Sequence, residues 1–240
     1  MTTLAKFAIA VLMALFLSSC VFDMNFGEGK RGNGDVVKDD RQVTQDFTMV
    51  SASEGLDVYV TQGDDFEIMV EADENIIDLI GTDIKNGKLR IHAIENIGRA
   101  TKMVYVTLPT ITELSASSGS DLVTKNMIRA DKISLGASSG AGMKIELVAE
   151  DVDADSSSGA DIRIVGKATL FYADASSGSD INAREFSVKT CRADASSGAD
   201  ISVNVSESLV ADASSGADIR YTGDARVETK KSVSGSVHKY

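Results

Sequence analysis

Aspartate recurs at two fixed positions in the second half of this chain, on either side of a repeated serine–glycine phrase. Counted from the glycine of that phrase, it stands four residues before as Asp155, Asp174, Asp194 and Asp212, and two residues after as Asp121, Asp161, Asp180, Asp200 and Asp218. Carboxylates with serine hydroxyls between them are hard oxygen ligands, which suit Ca²⁺ better than zinc. The candidate calcium ligands are Asp161, Asp180, Asp200 and Asp218. We expect no other cofactor.

The same carboxylates could in principle serve catalysis. Glycoside hydrolysis uses a pair of them, and a lyase-like site would add Ca²⁺ and a basic residue. Every repeat offers nearly the same pair, however, whereas a catalytic centre is normally a departure from a repeat. A serine triad needs a histidine, but His92 stands in a predicted hairpin strand and His238 near the end of the sequence. The preferred explanation of the pattern is that these are turn aspartates, which accept hydrogen bonds from the amides of their own corner. We predict no catalytic residues and no enzyme.

The element that must position these aspartates is the repeated phrase itself, which reads Asp-Ala-Ser-Ser-Gly-Ala-Asp-Ile in its fullest form. Its glycines are separated by steps of 21, 19, 19, 20 and 18 residues: Gly119, Gly140, Gly159, Gly178, Gly198 and Gly216. Weaker echoes stand at Gly55 and Gly235. A repeat near 20 residues is typical of a solenoid.

Each repeat has the period of a β-strand. Apolar residues stand seven and five positions before the glycine and three after it, with mostly polar residues between them. One such coil cannot close a core, so stacked coils of a parallel β-helix are predicted. We expect small inward side chains three and one positions before the glycine and one after it. The glycines are predicted structural turn residues with positive φ.

Stacking would align the aspartates in two columns. Rungs of a parallel sheet are about 4.8 Å apart, and two like charges at that distance repel by roughly 0.9 kcal/mol in bulk water. We expect ordinary salt screening to relieve most of this repulsion, with specific Ca²⁺ as the alternative.

The overall charge excludes one class of function. The chain has a formal net charge of −12, and loss of residues 1–19, which carry one lysine and no acid, would make it −13. Nucleic-acid binding depends on clusters of Lys and Arg, so no nucleic-acid partner is expected.

The first residues indicate a processed leader. Lys6 precedes an apolar run from Phe7 to Leu17, and Leu-Ser-Ser-Cys then matches the bacterial lipobox. We predict a lipoprotein signal peptide at 1–19, lipidation of Cys20 with a flexible tether at 20–41, and one domain at 42–240. Eleven apolar residues are too few to span a bilayer. Cys191 would then be left without a disulfide partner, at a position that other repeats fill with core residues.

Residues 42–110 depart from the phrase and predict an irregular, β-rich N-terminal cap. Strands are indicated at 56–62 and 66–71 around a tight turn, and at 103–108. Asn86-Gly87 between two apolar runs predicts a hairpin. Residues 73–80 indicate a loop or one helical turn.

Several of these stretches together resemble a known family. Leu56-Asp-Val-Tyr-Val-Thr-Gln-Gly63, the Asn86-Gly87 hairpin, Val104-Tyr-Val-Thr-Leu-Pro109 and the recurring Ser-Gly-Ala-Asp phrases resemble the putative auto-transporter adhesin, head GIN domain family, over about residues 33–238. The resemblance implies a right-handed parallel β-helix in an exported protein or lipoprotein of Bacteroidota-type bacteria. It carries no established catalytic or binding residues.

The functional expectation is a non-enzymatic lipoprotein of the bacterial cell envelope, held by its lipid, in the outer membrane. It would act as a surface interaction, adhesion or structural module with an envelope protein or a glycan as partner. The alternative is a carbohydrate-active protein, either polysaccharide-binding or lyase-like. The absence of tryptophan weighs against a sugar platform, for which Tyr172, Tyr59 and Tyr105 are the outward candidates.

Overall fold

The structure, a computed structural model, describes residues 29–229 and 234–240. The predicted leader at 1–19 and Cys20 lie outside these residues. The described chain is all-β apart from one 3₁₀ turn, Ile77–Leu79. Its strands in chain order are β1 Val36–Arg41, β2 Met49–Ala52, β3 Asp57–Gln62, β4 Glu67–Asp73, β5 Ile80–Lys85, β6 Lys88–Ala93, β7 Lys102–Leu108, β8 Glu113–Ala116, β9 Asp121–Thr124, β10 Ile128–Ala137, β11 Gly142–Ser156, β12 Asp161–Ala175, β13 Asp180–Ala195, β14 Asp200–Ala213, β15 Asp218–Thr222, β16 Arg226–Thr229 and β17 Ser236–Lys239.

The repeats stack as successive rungs of a parallel β-helix, which confirms the predicted fold class. The long strands β11 to β14 pair in parallel with their predecessors, and each runs from one serine–glycine corner to the next. Equivalent phrase positions are in register: Asp161 pairs with Asp180 and Ile162 with Ile181. The echo at Gly55 is a rung of the same stack, because β3 pairs in parallel with β9.

Each corner is a tight turn in which two successive residues have positive φ. The glycines have φ between 69 and 77°, as predicted, and the preceding serines Ser118, Ser139, Ser158, Ser177, Ser197 and Ser215 have φ between 52 and 56°. Positive φ at both central residues is the signature of a type I′ turn. The amide of each glycine donates to the carbonyl of the next rung's serine, as Gly178 does to Ser197 at 3.1 Å.

The two successive positive φ angles overturn one expectation about the corner. The residue immediately before the glycine was expected to face inward, but in all six phrases this serine is exposed. Side chains do not alternate strictly between inward and outward across two residues in the left-handed backbone conformation. The inward positions are those three before and one after the glycine, occupied by Ala175 and Ser179 in the central phrase. Ser179 Oγ donates to the carbonyl of Ser156 at 2.8 Å, so the buried hydroxyl is satisfied.

The core is a set of apolar columns. The positions predicted from the alternation are all buried, among them Val152, Phe171 and Leu209. Phe171 meets Phe186 edge to face at 5.4 Å between ring centroids. Cys191 is 1 % exposed in the column of Phe171 and Leu209, so it fills the place of a hydrophobe.

The N-terminal cap contains the predicted strands but pairs them differently. The Asn86-Gly87 hairpin is present as antiparallel β5 and β6. By contrast, β3 and β4 do not form a hairpin, because β7 lies between them, parallel to β3 and antiparallel to β4. Strand β1 covers the outer edge of β4 in antiparallel register. Charges along β1, including Lys38 and Asp40, protect this edge from pairing with other chains.

The domain also begins earlier than predicted. Residues 29–41 fall within the predicted tether, yet Lys30 forms a parallel bridge with Ile97 and β1 belongs to the sheet. The buried carboxylate of Asp73 holds this segment: its oxygens accept from the amides of Gly34 at 2.9 Å and Thr101 at 2.8 Å. A polar sequence without clear periodicity is thus fixed by contacts with distant loops.

Candidate functional site

The aspartates after each corner form one column on the outer surface. Sheet register places them in the order Asp57, Asp121, Gly142, Asp161, Asp180, Asp200, Asp218 and Ser236. This downstream column contains all four candidate calcium ligands. It also contains Asp57, which belongs to the cap and was not among the predicted column members.

A second column runs on the other side of the corner. Its register is Ser51, Ser115, Gly136, Asp155, Asp174, Asp194 and Asp212. The two predicted columns are therefore both present. We call this set the upstream column.

Crowding of like charges changes the acidity of both columns. Partial burial, followed by the neighbouring charges of Asp161 and Asp200, raises the pKa of Asp180, and Arg220 opposes the rise. In the upstream column, burial and then the charges of Asp194 and Asp153 raise the pKa of Asp174. Both columns therefore favour protonation or a bound cation more than isolated aspartates do.

Arginines neutralise part of each column. Arg220 reaches Asp200 at 2.9 Å and Asp218 at 3.3 Å, while Arg192 reaches Asp194 at 2.7 Å. These pairs are half exposed, so each contributes little to stability. Their main effect is on the local electrostatic potential. Arg220 neutralises part of the negative charge at the C-terminal end of the downstream column, but it forms no ion pair with the members from Asp57 to Asp161.

One rung lacks the aspartate of both columns, which interrupts the downstream column and precedes the first aspartate of the upstream one. Gly136 occupies the upstream position and Gly142 the downstream position of the rung whose corner is Gly140. A Cβ at position 142 would overlap Oδ1 of Asp121, so the carboxylate of the preceding rung leans into the vacant place. This rung is the clearest departure from the repeat on the outer surface.

Unlike charges meet beside this break. Lys144 and Arg163 are register partners one column away from Gly142 and Asp161, and Arg163 pairs with Glu185. These side chains are exposed on an open face. Histidine is remote from them along the chain: His92 bonds to Asp83 at 2.7 Å in the β5–β6 hairpin.

Metal ligation by a compact cluster is not found in the described part of the chain. Across residues 29–229 and 234–240, no three His, Cys, Asp or Glu side chains converge closely enough to hold an ion. Adjacent column members are separated by the rung spacing, so a cation would lie between neighbours along the column. Calcium binding by Asp161, Asp180, Asp200 and Asp218 stays a prediction.

Cys191 offers no accessible nucleophile. Burial, followed by the charge of Asp194, raises the pKa of its thiol. A buried thiol whose thiolate is disfavoured is unreactive.

The feature that sequence reasoning missed is a tyrosine pair in the cap. Tyr59 in β3 and Tyr105 in β7 are register partners, and their rings stack at 5.1 Å between centroids with an interplanar angle of 21°. The signal was available, because both strands contain Val-Tyr-Val-Thr, at 58–61 and 104–107. A shared strand motif separated by 46 residues indicates neighbours in a stack, as the corner phrase does.

These features are accompanied by a match to a family. The model of the family described as putative auto-transporter adhesin, head GIN domain, matches residues 46–225, which is more than half of the chain. The chain belongs to this family. The matched head GIN region contains the rungs as far as β15 and most of the cap; β1 precedes it, and β16 and β17 follow it.

Solved structures share the head GIN fold at low sequence identity. A putative adhesin from Bacteroides fragilis has a TM-score of 0.81 at 19% identity, with 88% of this chain and 100% of that one covered. A putative adhesin from Parabacteroides merdae has a TM-score of 0.72 at 17% identity, with 88% and 98% covered. A putative lipid binding protein from Parabacteroides distasonis has a TM-score of 0.71 at 16% identity, with 88% and 99% covered. No curated protein matches the chain.

The family description indicates a protein of the cell envelope or surface. Over the residues that the structure describes, no helix is long and apolar enough to cross a membrane.

Proposed function

We propose that this head GIN protein is a non-enzymatic interaction module of the bacterial envelope, which binds another macromolecule through the outer face of its solenoid. The observation that carries the proposal is the repetition of that face. Two columns of carboxylates run in register over successive rungs beside exposed serine corners. A repeated array offers many equal contacts, which suits multivalent attachment better than the chemistry of one reacting centre.

The anchor in this proposal is a lipid on Cys20, which would hold the protein to the outer membrane. Folded structure is present from the bridge at Lys30 onward. Nine residues separate Cys20 from Lys30, so a fully extended connection would span at most about 35 Å. The solenoid would thus stay close to the membrane, with its array available to neighbouring envelope components. The names of the adhesin structures support the adhesive part of the proposal.

The test is attachment of beads that carry the full chain to envelope fragments of the same bacterium. We expect retention well above that of bare beads, because many weak contacts act together. A variant with Asp161→Asn, Asp180→Asn and Asp200→Asn is compared with a matched variant in the upstream column, Asp155→Asn, Asp174→Asn and Asp194→Asn. A decrease for either set identifies the binding column.

Retention no greater than that of bare beads would contradict the proposal. The non-enzymatic part has its own measurement, in which the chain is incubated with a panel of polysaccharides and product is followed over time. Steady release of reducing ends or unsaturated sugars would contradict it and favour the carbohydrate-active alternative.

A further inference from the structure

One outer face of the solenoid changes character along its length. Next to the downstream column, sheet register aligns Met69, Tyr105, Tyr59 and Val123, which we call the aromatic strip. In the following rungs the same column continues as Lys144, Arg163, Asn182, Ser202 and Arg220. The cap and the first repeat therefore place apolar side chains where the later repeats place charged and polar ones.

The aromatic strip is partly exposed, and its two rings pack on each other. All four of its side chains point outward and are half buried. Tyr59 and Tyr105 stack on one another, and the Tyr105 hydroxyl lies 3.7 Å from the sulfur of Met103. Four adjacent strands span about 14 Å, which matches roughly four residues of an extended peptide. Contiguous apolar surface of this kind on a soluble domain indicates a contact site.

Acidic side chains flank the strip along one side. Asp57 and Asp121 precede Tyr59 and Val123 by two residues on the same strands, so they share its face. With Asp161 and Asp180 they line a groove of about 500 Å³ that also includes Tyr59 and Val123. Two cations, Lys144 and Arg163, line the same groove, so its carboxylates outnumber its cations by four to two. A two-residue step along a strand is about 6.7 Å, which a lysine or arginine side chain can reach from a segment lying on the strip.

The charge around the strip selects the partner. Asp40 lies beyond Met69 in register, so a carboxylate also stands at the cap end of the strip. The chain carries a net charge of −12 and would repel anionic headgroups and acidic polymers. Within the protein, Nζ of Lys125 lies 5.2 Å from the centroid of the Tyr59 ring, so this aromatic pair already accommodates a cation.

We propose that the aromatic strip and its flanking aspartates dock an extended cationic segment of a partner protein, in which apolar side chains stand next to Lys or Arg. The apolar side chains lie on Tyr59, Tyr105 and Val123, and the cations reach Asp57, Asp121 and Asp161. This inference rests on the proposed function, because it names the chemistry of the partner. The upstream column has aspartates without such a strip and provides an internal control.

The experiment uses the full chain and a synthetic peptide of alternating Lys and Val with one central Trp. The protein contains no tryptophan, so the emission and anisotropy of the probe report its binding directly. Two comparison peptides replace Lys by Glu or Val by Ser. We expect binding of the Lys–Val peptide to weaken with added salt, and the other two peptides to bind at least about tenfold more weakly.

Protein variants locate the contact. Tyr59→Ser with Tyr105→Ser is expected to weaken binding by about tenfold or more, whereas Tyr172→Ser, at an aromatic residue that is 45 % exposed elsewhere on the solenoid, should change it by less than about twofold. If the double variant does not fold, Val123→Lys serves instead, because it places a charge at the end of the strip beside Lys144.

The carboxylate contribution is tested in the same way. Asp121→Asn with Asp161→Asn should weaken binding and reduce its salt dependence, and Asp155→Asn with Asp174→Asn should do neither.

Three results would overturn the proposal: no binding of the Lys–Val peptide at 1 mM (about 4 kcal/mol of affinity), equal binding of the Glu peptide, or equal losses in the control variants. A glycan that binds through Tyr59 and Tyr105 when the peptide does not would also overturn it. Bead retention on envelope fragments would persist in each of these cases if the proposed function holds, so the two failures are distinguishable.

Discussion

Alanine at two glycines of the solenoid should have very different costs, although both glycines have positive φ. Gly178 stands at a corner with φ 69°, and a Cβ there would meet no heavy atom within 4 Å. Gly166 lies within β12 with φ 124°, and a Cβ there would overlap the carbonyl oxygen of Leu147 and lie 3.0 Å from the carbonyl carbon. A side chain at position 178 is disfavoured by the backbone conformation alone, whereas a side chain at position 166 is disfavoured by both the backbone conformation and the lack of space.

The structure sets the expected magnitudes. A left-handed conformation costs an L-residue roughly 1–2 kcal/mol, and alanine recovers about 0.4–1 kcal/mol by restricting the unfolded chain. Gly178→Ala should therefore lower the free energy of unfolding by about 1 kcal/mol. No steric clash is added at this corner, because a Cβ there has open space around it. Gly166→Ala must displace the backbone of the preceding rung, which is paired with its own neighbours, and should cost more than about 3 kcal/mol.

Urea unfolding followed by far-ultraviolet circular dichroism measures both variants. Ser177→Gly is the matched control, because Ser177 already has φ 56° with a Cβ. Relief of its strain and the added freedom of the unfolded chain should nearly cancel, leaving stability within about 0.5 kcal/mol of wild type. The reasoning is refuted if Gly178→Ala costs as much as Gly166→Ala, or if Gly166→Ala is tolerated.

Three further predictions concern the anchor and the carboxylates. Cys20→Ser should leave an unprocessed, unlipidated precursor; normal processing and membrane partitioning of that variant, measured by mass spectrometry and fractionation, would contradict the lipobox interpretation. The folded-state pKa of Asp180 is raised by burial and by its neighbours, so its stabilising contribution is complete below the ordinary aspartate pKa and is lost as pH rises through the raised value. Asp180→Asn should accordingly flatten the decrease of melting temperature above about pH 4. An unchanged pH profile would contradict charge repulsion within the downstream column. CaCl₂ and NaCl at matched ionic strength should raise the melting temperature alike if screening dominates; a calcium-specific increment that disappears in Asp180→Asn with Asp200→Asn would instead establish the metal site.

The repetitive half of this protein was predictable because each rung repeats one local pattern. Alternating apolar positions around Gly178 and its equivalents determine which face is buried, and copies at 18–21-residue steps can bury it only by stacking. Once the copies stack, Asp161, Asp180, Asp200 and Asp218 must align, since equivalent positions share a register. The six turn glycines follow for the same reason.

The backbone conformation of the corners could be described only from the structure. The sequence indicated a positive φ at glycine but not at the preceding serine, because serine has no intrinsic preference for that region. The additional reversal turns Ser177 outward, where alternation predicted an inward side chain. Likewise, the sequence contains nothing that distinguishes the open surroundings of Gly178 from the crowded ones of Gly166.

The strand order of the cap depends on tertiary contacts. Strands β3, β4 and β7 are each recognisable from their residues, but the insertion of β7 between the other two depends on contacts between segments that are distant in the chain. That pairing brings Tyr59 against Tyr105 and aligns both with Met69 and Val123. Local alternation determined that each tyrosine points outward. Which side chains lie beside it was set by a non-local register. The sequence by itself therefore determined the columns, whereas the pairing of cap strands with one another and with β9 determined the aromatic strip.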